Sequence, residues 1–275
     1  MTCKDVKIDI GNAVQARLSL YIQDNDLEMY GERKRPLVLV CPGGAYEFVC
    51  CREGEPIALQ FLTAGCHAAV LWYDISVQGV AHPQELLELA QATAYIREHA
   101  EEYMIDKDKI IVAGFSAGGH LAASLGCFWH TDWLAQATGM KKEAYQPNGL
   151  VLAYPVITSG EFAHRGSFVN LMGANASQEL EEQLSLEKQV TENMPPVFMW
   201  HTFEDDAVPL ENSLMFAVAL RKAGVNFEYH VFPHGGHGYA LATKETAGKD
   251  MIEIEPQCEQ WMPLCKNWLK YNYNV

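Results

Sequence analysis

The most constraining feature of this chain is an alternation. Short apolar runs rich in β-formers, at Leu37–Val40, Ala68–Tyr73, Lys109–Ala113, Leu150–Tyr154, Val197–Thr202 and Asn226–Phe232, are separated by longer segments. Helical patterns occupy Pro56–Ala64, Pro83–His99, Ala117–Phe128 and Leu210–Ala223. A strand that is apolar at successive positions is buried on both faces, and bringing the next strand alongside it in parallel takes a crossover of about helix length. The pattern therefore predicts an α/β fold with a mostly parallel twisted sheet and helices on both faces. Upstream, Val6–Ile10 and Arg17–Ile22 read as half-exposed hairpin strands, followed by a polar stretch over 23–35. Near the C-terminus Pro263 lies between Trp261 and Trp268, which predicts a kinked or split helix, whereas Pro256 suits a first helical turn. Two stretches break the alternation, 129–148 and 156–196, the second with the acidic run Glu179-Leu180-Glu181-Glu182. Both are expected to be lid or surface insertions in one domain spanning 1–275.

Composition narrows the function classes. With 275 residues, 49% of them apolar, the chain can bury a sizeable core. A formal charge of −15 repels a polyphosphate backbone, so nucleic acid is excluded as a partner. No apolar stretch is long enough to span a bilayer and the opening Met1-Thr2-Cys3-Lys4-Asp5 is unlike a secretory leader, which predicts a cytoplasmic protein without membrane association. The eight cysteines show neither C-x-x-C pairs nor spacing with histidines suited to zinc; they are expected to be reduced thiols, with no metal site.

The sharpest local signal is Gly114-Phe115-Ser116-Ala117-Gly118-Gly119-His120, set between an apolar strand and a helix that begins with small residues. A bare G-x-S-x-G arises by chance in roughly one chain in ten of this length, so its context carries the reading. A serine on a tight strand-to-helix turn sits in strained dihedrals, and glycines two positions either side relieve the crowding. The helix that follows aims its unpaired N–H groups toward an oxyanion formed near Ser116. The competing structural reading is a glycine-rich turn that only packs closely on the sheet.

A second loop, Cys41-Pro42-Gly43-Gly44-Ala45-Tyr46, follows the first buried strand of the parallel series. It resembles the HGGG-type loop of lipases and esterases, with Pro42 in place of the histidine and Ala45 in place of the third glycine. That resemblance implies an oxyanion hole made by the N–H groups of Gly44, Ala45 and Ala117 and places Tyr46 in the wall of a small acyl pocket. Read alone, the same residues make a plain Pro-Gly-Gly turn.

An activated serine needs a base, and the chain has ten histidines. His67 and His201 stand at strand starts, His99 ends a helix, His230 lies within a strand, and His120 points along the helix after Ser116, away from its hydroxyl. His234 and His237 lie in Pro233-His234-Gly235-Gly236-His237-Gly238-Tyr239, just past the last strand, at the carboxyl edge where catalytic groups of parallel sheets gather. Flanking Gly236 and Gly238 favour His237. The orienting acid is expected among Glu204, Asp205 and Asp206, which follow an earlier strand and could equally cap the next helix.

Together, CPGGAY, GFSAGGHLA, LAYPVI, HTFEDDAVP and HGGHGY resemble a bacterial branch of the α/β-hydrolase superfamily that holds esterases, acetyl esterases and xylan-esterase-like sugar hydrolases, and the resemblance covers nearly the whole chain. It implies an α/β-hydrolase fold, the chain order Ser116, Asp205, His237, and Asp205 as the acid, three residues before the valine of the Val208-Pro209 pair. It implies hydrolysis of small-acyl carboxylic esters, often acetyl groups on sugars, by an acyl-enzyme on Ser116, with no metal or organic cofactor and a small-molecule ester as partner; a homodimer is compatible with it. Trp129 and Trp133 are weighed as sugar-stacking residues against the alternative that they fill a lid core. The rival activities on this scaffold are an arylformamidase and an aminopeptidase-like hydrolase, the latter usually with an N-terminal propeller, which this sequence does not show. A non-catalytic binding protein of hydrolase fold would tend to lose the base, which here is present as His237.

Overall fold

The computed structural model describes residues 1–11 and 15–275. In chain order its elements are β1 (Thr2–Ile8), β2 (Ala16–Ile22), α1 (Leu27–Tyr30), β3 (Arg35–Cys41), α2 (Glu55–Thr63), β4 (His67–Trp72), α3 (Gln84–Glu98), β5 (Ile105–Phe115), α4 (Ala117–Phe128), α5 (Asp132–Thr138), α6 (Lys142–Tyr145), β6 (Gly149–Ala153), α7 (Arg165–Met172), α8 (Gln178–Gln183), β7 (Val197–Thr202), α9 (Glu211–Lys222), β8 (Phe227–Phe232) and α10 (Trp261–Tyr273). The strands form one eight-stranded sheet in the order β1-β2-β4-β3-β5-β6-β7-β8. β1 and β2 run antiparallel to each other and β2 antiparallel to β4; every other pairing is parallel.

Period-two alternation sorts each central strand between two cores. Leu37, Leu39, Ile110, Val112, Val197 and Met199 face one core, with Leu89 of α3, Leu125 of α4 and Phe216 of α9. Val38, Val40, Ile111, Ala113, Phe198 and Trp200 face the other, with Phe61 of α2 and Trp261 and Trp268 of α10. Helices therefore cover both faces, which is why these strands read as continuous apolar runs.

The expected elements recur with shifted ends. β1 starts at Thr2 rather than Val6 and is almost wholly exposed, while β2, expected to be half exposed, is buried at nearly every position because β1 and β4 flank it. β5 reaches back to Ile105, paired with Arg35 across an irregularity in the register. The polar stretch 23–35 holds α1, which the sequence reading did not anticipate. The expected kink at Pro263 does not occur. α10 begins at Trp261, so Pro263 falls in the first turn, where backbone N–H groups have no helical partner to lose. The stretch 129–148 folds as α5 and α6, and 156–196 contains α7 and α8.

Chain order along the sheet reverses at β3: β4 lies on one side of it and β5 on the other. The loops leaving β3 and β5 thus diverge from neighbouring carboxyl ends, with Cys41 paired to Gly114, and open a crevice between them.

Candidate active site at the carboxyl edge of the sheet

Ser116 stands between β5 and α4 with φ 54° and ψ −119°. Its N–H donates to the Ala153 carbonyl of the next strand at 3.0 Å, and its own carbonyl accepts from Val156 N–H at 3.1 Å and His120 N–H at 3.2 Å. Those bonds hold a backbone conformation that costs of order 1–3 kcal/mol for a residue with a side chain. The turn closes only because its glycines lack side chains: a Cβ on Gly114 would lie 2.1 Å from the Gly118 carbonyl oxygen, and one on Gly118 would lie 2.1 Å from that of Cys41.

His237 reaches this serine from the loop after β8. Its Nε2 lies 2.7 Å from Ser116 Oγ and its Nδ1 lies 2.7 Å from Asp205 Oδ2. A carboxylate only accepts, so Nδ1 carries the proton and Nε2 is left to accept from the serine hydroxyl, a tautomer assigned from the partners. Asp205 is buried, whereas Glu204 and Asp206 are exposed. Its Oδ1 accepts from the N–H groups of Ala207 at 3.1 Å and Val208 at 2.9 Å. Burial pushes the Asp205 carboxyl up, but hydrogen bonds from His201 and His237 outweigh it and hold the group well below the usual carboxylate range. His234 instead pairs with Glu204 at the surface, at 3.1 Å. Asp206 does not cap α9, whose N-cap position is Leu210 with no side-chain cap bond.

The serine and histidine open into a cavity of about 380 Å³ lined by Gly44, Ala45, Phe48, Cys50, Arg52, Glu53, His164 and others. On the loop after β3, Gly44, Ala45 and Tyr46 all have positive φ, at 129°, 54° and 59°. Gly43 N–H is committed to Glu53 Oε2 at 2.7 Å; among the described residues, the N–H groups of Gly44 and Ala45 have no partner in the protein. Ala117 is the first residue of α4, where no helical partner exists for its N–H.

The consecutive left-handed residues turn Tyr46 inward, which corrects its expected place in the pocket wall. It is buried, and its hydroxyl bonds His120 Nδ1 at 3.0 Å while His120 Nε2 donates to the Leu184 carbonyl at 2.9 Å. His120 is thus neutral, burial holding it down at about 4. Trp129 and Trp133 are not among the cavity residues: Trp129 Nε1 donates to the Asn193 carbonyl at 2.9 Å, and Trp133 packs on Phe128 and His82, so both tie the stretch 129–148 to the body of the domain.

Further residues outside the sequence reading join the site. Glu53 is buried beneath the cavity, where its Oε1 accepts from Tyr154 Oη at 2.7 Å; the Tyr154 ring in turn meets the His237 ring edge-on at 5.0 Å. Burial raises the Glu53 carboxyl, opposed by its bonds from Tyr154 and Gly43. His164, capping α7, enters from the insertion 156–196, its basicity lowered by burial and then by His237. Arg52 pairs with Glu253 at 2.7 Å on the rim. Cys50 also lines the cavity, but burial and the Glu53 charge push its thiol up to about 11, which keeps it protonated and poorly nucleophilic.

Fold and site together define an α/β-hydrolase whose sheet edge carries a hydrogen-bonded Ser–His–Asp chain. Residues 24–220 match the BD-FAE family, and the chain belongs to that family. It is 41% identical over 231 residues to endo-1,4-beta-xylanase B of Butyrivibrio fibrisolvens, covering 83% of this chain and 35% of that protein. It is 27% identical over 161 residues to an acetylxylan esterase of Xylanibacter ruminicola, covering 57% of this chain and 31% of that protein. The chain thus spans about a third of the length of either curated relative. An acetyl ester-xyloside bifunctional hydrolase from Caldicellulosiruptor lactoaceticus superposes with a TM-score of 0.78 at 36% identity, over 96% of this chain and 90% of that one.

Proposed function

We propose that this chain is a serine carboxylesterase that hydrolyses short-acyl esters, acetyl esters of sugars foremost, through an acyl-enzyme on Ser116. The observation that carries this reading is the unbroken hydrogen-bonded series Ser116–His237–Asp205, with both links at 2.7 Å, opening into a cavity at the sheet edge. An esterase and an acetyl ester hydrolase among the relatives support the substrate class.

In the proposed mechanism Ser116 Oγ attacks the ester carbonyl while His237 Nε2 takes its proton, and Asp205 stabilises the resulting imidazolium. The N–H groups of Gly44, Ala45 and Ala117 hold the oxyanion; each such donor is worth on the order of 10²-fold to 10³-fold in rate. His237 then protonates the departing alcohol, accepts a proton from the deacylating water and returns it to Ser116. The alcohol side is bounded by the exposed ring of Phe48 and the Arg52–Glu253 pair, an aromatic face and fixed polar groups that suit a sugar ring. The location is read as cytoplasmic, in keeping with eight cysteines that are all unpaired.

The test compares the protein with its Ser116→Ala variant on p-nitrophenyl acetate, p-nitrophenyl butyrate and acetylated xylo-oligosaccharides. The variant is expected to lose on the order of 10⁶-fold in turnover. Equal rates would remove Ser116 from the mechanism. Preference for formylkynurenine or Ala-p-nitroanilide over every ester would move the activity to formamides or peptides.

A further inference from the structure

Asp205 serves two imidazoles. Besides His237, its Oδ2 lies 3.1 Å from Nε2 of His201, a fully buried residue at the end of β7 rather than at a strand start as the sequence suggested. The same Nε2 lies 2.9 Å from the Val208 carbonyl oxygen. Both partners only accept, so His201 carries a proton on Nε2 whatever its charge. Its Nδ1 lies 2.8 Å from Ser213 Oγ of α9, and Ser213 Oγ lies 2.7 Å from Tyr229 Oη of β8. With His201 neutral, its Nδ1 can only accept, so the Ser213 hydroxyl, which also lies 3.0 Å from the Leu210 carbonyl, turns its proton to His201; Tyr229 then donates to Ser213 and His201 to Asp205. Tyr229 keeps its proton, its hydroxyl pushed up to about 12 chiefly by burial.

We infer that His201, backed by Ser213 and Tyr229, is a positioning residue that sets both the orientation of the Asp205 carboxylate and how strongly that carboxylate supports His237. The inference rests on the proposed roles of Ser116, His237 and Asp205. Each donor on Oδ2 draws charge from the oxygen that faces His237, and donors in series strengthen one another. Removing His201 leaves a buried carboxylate with one fewer donor, hence more basic and less firmly oriented. The His237 imidazolium is then better stabilised, and the acid limb of the pH–rate profile moves to higher pH. The other titratable groups around the pair are Glu53 after β3, His164 at α7, Tyr154 after β6, Cys50 and the Arg52–Glu253 pair across the cavity, and the Glu204–His234 pair on the surface; none is altered by these changes.

The experiment measures kcat/KM for p-nitrophenyl acetate against pH for His201→Leu, His201→Gln and Ser213→Ala. In parallel it records the low-field proton resonance of the His237–Asp205 hydrogen bond, which needs no turnover. His201→Leu is expected to move the acid limb up by roughly half a unit to one unit and to lower kcat on the order of 10-fold with KM little changed. His201→Gln, which can still present an N–H at the same reach, should restore the limb and the resonance. Ser213→Ala should shift both in the same direction as His201→Leu by less, and it carries the test if His201→Leu fails to fold. Folded variants with lower melting temperature but an unmoved limb and resonance would make His201 merely structural and overturn the inference. A Gln variant that shifts like Leu would overturn it as well. Full activity of Ser116→Ala would instead sink the underlying reading, while the resonance would still report on His201.

Discussion

At the scale of single residues, the groups that were legible in the sequence are those whose neighbours announce them. Ser116 is framed by Gly114 and Gly118 and His237 by Gly236 and Gly238, each at the end of a strand. Glu53, His164 and the link from His201 to Asp205 were not legible, because their roles depend on contacts that only the fold creates. Glu53 bonds Tyr154 across a separation of 101 residues, and nothing in Cys51-Arg52-Glu53-Gly54 marks that partner. Tyr46 was misplaced for a related reason: residue type is visible in a sequence, but side-chain direction follows from backbone dihedrals. Glu53→Ala leaves the Gly43 N–H and the Tyr154 hydroxyl without a buried acceptor, which should cost about 2–4 kcal/mol in stability. Denaturant unfolding checks this, and an unchanged midpoint would show that neither bond matters. Turnover should fall too, since the same carboxylate fixes the start of the loop that bears Gly44 and Ala45.

At the scale of elements, the buried strands were read almost to the residue because both of their faces are covered, while β1 was misread because an exposed edge strand carries no hydrophobic pattern. The polar beginning of β5 was missed for the same reason: Asp106, Lys107 and Asp108 precede the run that starts at Lys109. The element on which chemistry depends is the β5–α4 turn. Gly118→Ala would drive a Cβ to within 2.1 Å of the Cys41 carbonyl oxygen, a backbone atom that cannot step aside without moving β3. Loss of more than about 3 kcal/mol and of most ester hydrolysis is expected, read by unfolding and by p-nitrophenyl acetate turnover. A stable, active Gly118→Ala protein would show that the turn is looser than this packing implies.

At the scale of the whole molecule, the reversal of chain order at β3 gathers the serine turn, the Gly44–Ala45 loop and the histidine loop at one rim although they lie far apart in sequence. The fold also sets a pH dependence of stability. Burial holds His67 and His120 down at about 4 from 6.5, so the unfolded chain binds more protons than the folded one between those values. Their contribution is complete above pH 6.5 and is lost as pH falls toward 4, up to about 3 kcal/mol for each. The depressed Asp205 adds stability that persists above the ordinary carboxylate range and disappears below it. The raised carboxyls of Glu53 and Glu88 pull the other way above pH 4.5, because the folded chain there holds protons that the unfolded chain has lost. Denaturant midpoints should therefore rise from pH 4 to 6.5 by less than the two histidines alone would give; a fall across that window would contradict the neutral, buried state of both histidines.

The account rests on Ser116 becoming covalently acylated, and trapping that bond tests it most directly. Intact mass spectrometry after exposure to a fluorophosphonate ester should show one added group, with peptide mapping placing it on Ser116, and none on Ser116→Ala. An adduct elsewhere, or equal labelling of the variant, would contradict the central claim.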